Sequence, residues 1–188
     1  MQSLYYHQML TYDGSQLSSL WAFRTLGVQG DSIICFRGPC RVELAGMVDM
    51  EDVRRASPIF SRDMLHFIVE HFDSDLEKTI LKQRLLIAII KDIIEREACC
   101  RLRRSGDDLY FGGDKLSVSI ATLSPVSTMI HTGLNVSSKG TPVPAAGLAT
   151  ELGLPETRVP EIGQLICRAY ADEVEDVRLA RCKVRGVP

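Results

Sequence analysis

The chain has 188 residues, 45% of them hydrophobic and 24% charged, the balance of a globular protein rather than a disordered one. A chain of this length buries roughly 70% of the surface its unfolded form exposes, so it needs no disulfide or metal staple. Its formal net charge of -2 gives no electrostatic case for nucleic acid or an anionic membrane as main partner.

The first residues, MQSLYYHQMLTYDG, show no basic n-region and no long apolar run, so no signal peptide is expected. The most apolar helical stretch, 85–94, is interrupted by Lys91 and Asp92 and is too short to span a bilayer. Six cysteines are scattered without any CxxC pair, which argues against a zinc ribbon or thioredoxin-type site and for reduced thiols in a cytoplasm. The expectation is one cytoplasmic domain over 1–188, with no metal site.

In chain order, residues 4–12 are β-prone and end at the turn signal Asp13-Gly14. Ser15 is placed to N-cap a helix carrying Leu17, Leu20, Trp21 and Leu26, stopped by Gly27 and Gly30. Residues 33–37 read as a buried strand, Gly38-Pro39 as a turn, and 41–44 as extended chain; 50–55 reads as a short helix. Residues 64–72 suit either helix or strand, and their aromatic and β-branched content favours strand. Ser74 or Asp75 caps the surest element, a helix to about Glu97 with Leu76, Ile80, Leu81, Ile87 and Ile90 along one stripe. Short strands follow near 99–103, 109–111, 115–122 and 128–136, with turns at Gly112-Gly113-Asp114 and Ser124-Pro125. Residues 139–160 read as loop and 160–177 as a final helix. Hairpins around one long helix predict an α+β fold with a mainly antiparallel sheet flanked by helices.

The stretch 106–136 reads GDDLYFGGDKLSVSIATLSPVSTMIHTGLNV. Lys115 opens a strand after a Gly-Gly-Asp turn. Alternation puts Ser117, Ser119 and Ala121 on its face, and the returning strand carries His131, Gly133 and Asn135 on one face. Lysine among small residues fills a core poorly and leaves room for a ligand, which glycine lets approach the backbone. An ammonium there pairs with a carboxylate, an acyl-phosphate or a phosphate. The alternative is a solvated face with Lys115 blunting a hairpin edge.

Other residues carry weaker signals. Cys40 follows a Gly-Pro pair and is a candidate nucleophile, or an inert buried thiol. His131 is expected on the Lys115 face of the hairpin and is a candidate general base or a packed sheet histidine. His66, Glu70 and Phe72 alternate with His71 and Asp73, a poor pattern for convergent metal ligands. The run Asp172, Glu173, Glu175, Asp176 is a solvated helix face.

The central stretch resembles the biotin and lipoate protein ligases. Asp107-Asp108-Leu109-Tyr110 looks like their N-D-L-Y, Lys115-Leu116 falls at the spacing of their lysine, and Gly133-Leu134-Asn135-Val136 looks like their closing G-x-N-V. Ser117 and Ser119 resemble the two serines of the lipoate ligase run K-[IV]-S-G-S-A. Over its whole length, including YDGSQLSSLWAFR, FRGPC and DMLHFIVEHFD, the chain is similar to domain of unknown function 366, a family mostly of archaea. The resemblance implies the fold shared by biotin/lipoate ligases and class II aminoacyl-tRNA synthetases. It implies that Lys115 contacts an acyl carboxylate and its activated phosphate, with ATP and Mg²⁺ as cofactors and Asp108 beside the nucleotide or metal. Biotin ligases also carry a loop of the type G-R-G-R-x-G-R over the adenylate, which this chain lacks; Arg37, in Arg37-Gly38-Pro39-Cys40, is the candidate clamp for phosphate or carboxylate. The expected ligand is a small carboxylate or acyl group, the partner an acceptor protein or a second copy of the chain. Either an acyl-transferring enzyme or a non-catalytic binding module on the same fold fits.

Overall fold

Strand formation is strongest where the sequence is apolar on both faces. Ser32–Val42 forms β2 and Ile59–His71 forms β3, paired antiparallel. In β2, Ile33 and Cys35 face one layer while Ile34 and Phe36 face the other, and all four are fully buried. The computed structural model describes residues 1–54 and 59–187. Gln2–Tyr6, β1, adds parallel to β2. Ser117–Leu123, β7, and Thr128–Asn135, β8, complete a sheet of order β1-β2-β3-β8-β7. Arg103–Ser105, Asp108–Phe111 and Asp114–Lys115 form β4, β5 and β6, a separate small antiparallel sheet.

Helices Leu76–Glu97, α3, and Val159–Ala180, α4, cover one face of the main sheet. Asp75 caps α3 by accepting from Lys78 N. The other face is covered by the N-terminal segment with Tyr12 and by helix α1, Trp21–Leu26, over Phe36, Met64, Ile68 and Met129. A short helix α2, Met50–Arg54, lies in the β2–β3 connection; Arg55, expected at its end, lies outside the described residues. No described helix is long and apolar enough to cross a membrane.

Several local expectations are corrected. Gly38-Pro39 makes no turn: β2 runs through it, with a register shift between Gly38 and Cys40. Proline lacks the ladder N–H, and a bulge absorbs it without ending the strand. Helix α1 starts at Trp21, not after Ser15, because Asp13 Oδ1 captures both Ser15 N and Ser15 Oγ in a local turn. The strand expected at 99–103 begins at Arg103, since α3 runs to Glu97 and Cys99 adopts a φ of 48° in the exit. The strand expected over 115–122 is divided. Leu116 N donates to Leu109 O of the small sheet, and its carbonyl accepts Asn135 N of the main sheet, so Leu116 joins the two.

Candidate functional site

The two sheets meet around a cavity of about 390 Å³ on the side of the main sheet away from α3 and α4. Its walls come from the hairpin β5–β6, the edge strand β7, His131 and Asn135 of β8, Ser61 and Met64 of β3, Tyr12, and the β2–β3 connection. Gly112 and Gly113 turn the hairpin with φ of 60° and 103°, both left-handed, as a two-residue hairpin turn of the favoured twist requires. That turn sets Lys115 opposite Tyr110 and within reach of Asp108, whose Oδ1 lies 3.0 Å from Lys115 Nζ.

Lys115, Asp108, Ser117, Ser119, His131 and Asn135 thus line one cavity. Their faces differ from the sequence expectation. The register pairs Val118 with Gly133 and Ile120 with His131. His131 and Gly133 therefore share a face with Val118 and Ile120, not with the serines. Parity in a hairpin is fixed by its loop, and a one-residue change reverses every side chain. The serine hydroxyls serve local structure: Ser117 Oγ accepts from Leu109 N at 2.8 Å, and Ser119 Oγ meets Gln83 Nε2 of α3 at 2.9 Å and donates to His131 O at 3.0 Å. Asn135 Nδ2 donates to Lys115 O at 3.4 Å. A Cβ on Gly133 would stand 2.7 Å from Met64 Cε and 3.3 Å from Val118 Cγ2, so its absence makes room for these side chains, and Gly133 itself does not line the cavity.

Arg37 lies away from the cavity lining. Phe36 and Gly38 face the cavity layer, so alternation turns Arg37 to the other face. There it binds both oxygens of Asp63 at 2.8 and 2.6 Å and Glu156 at 2.6 Å, and these carboxylates hold its pKa above the usual value. A phosphate clamp would need those pairs broken. Cys40 is fully buried, and burial pushes its thiol up to about 12, which removes the thiolate a nucleophile requires.

Two wall components escaped the sequence reading. Tyr12 stacks on His131 with ring centroids 3.6 Å apart and planes 11° apart. His66 Nδ1 lies 3.1 Å from His131 Nε2, and His66 Nε2 lies 3.2 Å from Gly38 O. Burial pushes the His66 pKa down to about 4, and His131 is held well below the ordinary value by burial and then by His66. Both rings are neutral at pH 7, so His131 is a weak base. The signal available in the sequence was Gly38. A Cβ there would stand 2.0 Å from Leu10 O, so only glycine lets residues 10–12 cross β2 and seat Tyr12.

Among the described residues, Asp49, Glu51, Asp107 and Asp108 line the cavity together with Lys115. Asp107 is held by Arg84 at 3.2 Å and by Gln83 at 2.9 Å, and Asp108 by Lys115. The wall near His131 is apolar, with Leu17, Met64, Val118 and Ile120. The arrangement suits a ligand with an apolar body and one anionic or carbonyl end at Lys115.

Comparison with known proteins places this architecture. Uncharacterized protein MJ0805 of Methanocaldococcus jannaschii is 41% identical over 183 residues, covering 94% of this chain and 81% of that one. A solved protein of unknown function from Pyrococcus horikoshi superposes with a TM-score of 0.91 at 41% identity, over 100% of this chain and 99% of that one. A mutant biotin protein ligase from Aquifex aeolicus, in complex with biotin, superposes with a TM-score of 0.63 at 14% identity, over 93% of this chain and 70% of that one. The last likeness shows the biotin/lipoate ligase fold. The model of Domain of unknown function (DUF366) matches residues 1–185, and the chain belongs to that family.

Proposed function

We propose that this protein binds a small carboxylate or acyl group in the cavity beside Lys115 and transfers the acyl group to an amine or thiol. The observation that carries the reading is the Lys115 ammonium in the wall of an otherwise apolar and acidic cavity, oriented by Asp108 at 3.0 Å. In acyl transfer the carbonyl oxygen gains charge as the nucleophile adds. A lysine ammonium positioned there stabilises that charge more than it stabilises the bound ground state.

The wall fits a nucleoside triphosphate poorly. Both aspartates of the hairpin are already paired with protein cations, Arg37 is engaged elsewhere, and Asp49 and Glu51 add negative charge to the lining. The transfer therefore draws on an acyl group activated elsewhere rather than on ATP bound here. The acyl group would arrive activated, as a thioester or adenylate, and leave on the acceptor with loss of a thiol or AMP. The same acidic wall favours a second reading, a module that holds a carboxylic acid without chemistry.

The test is incubation with an octanoyl thioester and hydroxylamine, with octanoyl hydroxamate measured by mass spectrometry. Wild type should form it faster than a protein-free control. Lys115→Ala should lower the rate by about a hundredfold or more with its melting temperature nearly unchanged, because a half-exposed ion pair contributes about 0–1 kcal/mol. An alanine variant of full activity would remove the reading. Octanoate binding with no hydroxamate above that of a protein-free control would select the non-catalytic module.

A further inference from the structure

The hydrogen-bond order of the buried histidine pair is fixed by one carbonyl. Gly38 O has no proton to give, so His66 Nε2 must be the donor across their 3.2 Å contact. A neutral His66 then has a bare Nδ1, which accepts from His131 Nε2–H at 3.1 Å. A neutral His131 in turn has a bare Nδ1. Neither ring can take the other tautomer without setting two lone pairs, or two hydrogens, against each other.

The ring position says where that last lone pair faces. His131 Nε2 turns to β3 and His66, and Cε1 stands 3.5 Å from the missing Cβ of Gly133. His131 lines the cavity with Val118 and Ile120, and Nδ1 is the ring nitrogen turned away from His66. No described residue hydrogen-bonds to it, although His131 is 3% exposed. An imidazole acceptor in a cavity wall with no protein partner is free to take a ligand donor.

We infer that His131 Nδ1 is a specificity determinant that accepts a hydrogen bond from an uncharged N–H or O–H on the apolar body of the ligand. Resting on the carboxylate reading above, this narrows the substrate class to acids bearing a neutral donor away from the carboxyl. Simple alkanoates leave Nδ1 unpaired. A second carboxylate would bring lone pair against lone pair. An ammonium would enter a stretch of wall formed by Tyr12, Met64, Val118 and Ile120 with no counter-charge.

Calorimetric titration compares octanoate, 8-hydroxyoctanoate, the monoamide of suberic acid, suberate and 8-aminooctanoate. In wild type the hydroxy acid and the monoamide should bind about tenfold tighter than octanoate, the worth of one well-made buried hydrogen bond, and the charged-ended acids more weakly than octanoate. In His131→Phe the advantage should disappear. Because that variant changes a packed ring, nitrogen-15 spectra of histidine-labelled wild type read the same contact without substitution. The Nδ1 resonance of His131 should move on adding 8-hydroxyoctanoate and stay on adding octanoate. Equal binding of octanoate and the hydroxy acid, a preference that survives His131→Phe, or a stationary Nδ1 resonance overturns the inference and leaves the carboxylate reading standing. If none of the acids binds, both fall.

Discussion

Gly38 shows how one residue without a side chain builds a site several strands wide. Its missing Cβ lets Leu10 cross at contact distance, with Leu10 N donating to Arg37 O and Tyr12 N to Pro39 O. Tyr12 then covers His131. Gly38→Ala would place a methyl 2.0 Å from a backbone oxygen, a clash only backbone movement relieves. The expected cost is on the order of 3 kcal/mol, read as a lower urea midpoint with an unchanged slope. The buried histidines make a separate prediction. The folded pKa of His66 is about 4, below its unfolded value of about 6.5. The unfolded chain therefore binds more protons between those values, and stability falls as pH drops through that window. For His66 the loss at pH 5 is roughly 2 kcal/mol relative to neutral pH. Calorimetric scans from pH 7 to 5 should show it as a falling melting temperature; a flat profile would mean that the pair is not buried as described.

At the scale of elements, what the sequence discloses is what local chemistry determines. The helix over 76–97 follows from an apolar stripe behind an acidic cap, and the structure selects Asp75 over Ser74 as that cap. Asp75→Ala should cost about 1 kcal/mol in urea denaturation, with Ser74→Ala near neutral; equal effects would contradict the assignment. Lys115 and Asp108 were legible because a Gly-Gly turn and a two-residue strand fix their relation locally. Arg37 was misread because alternation through β2 decides its face and the Gly38-Pro39 pair suggested a turn where the strand continues. The hairpin faces of Ser117, Ser119 and His131 depended on register, which the sequence leaves free until the loop 124–127 is built. Tyr12 and His66 meet across more than fifty residues of chain, and no local pattern brings them together.

For the whole molecule, the two faces of the main sheet do different work. The face under α3 and α4 is a continuous apolar core from Ile33 to Val174, tied at one end where Tyr170 OH and Asp31 hold the two nitrogens of His71. The opposite face has thinner cover, from a short helix and irregular chain, and there the cavity opens. On a biotin/lipoate ligase fold, this division places the cavity of the chain on the thinly covered face, with Asp49, Glu51, Asp107 and Asp108 among its described lining residues. Binding of the proposed ligand depends on a charge-selective contact at Lys115. The most direct measurement is calorimetric titration of wild type and Lys115→Ala with octanoate and with octanamide, two ligands of equal length that differ in charge. Wild type should prefer octanoate, and Lys115→Ala should bind the two equally. Equal binding by wild type, or a preference that persists in the alanine variant, would contradict it.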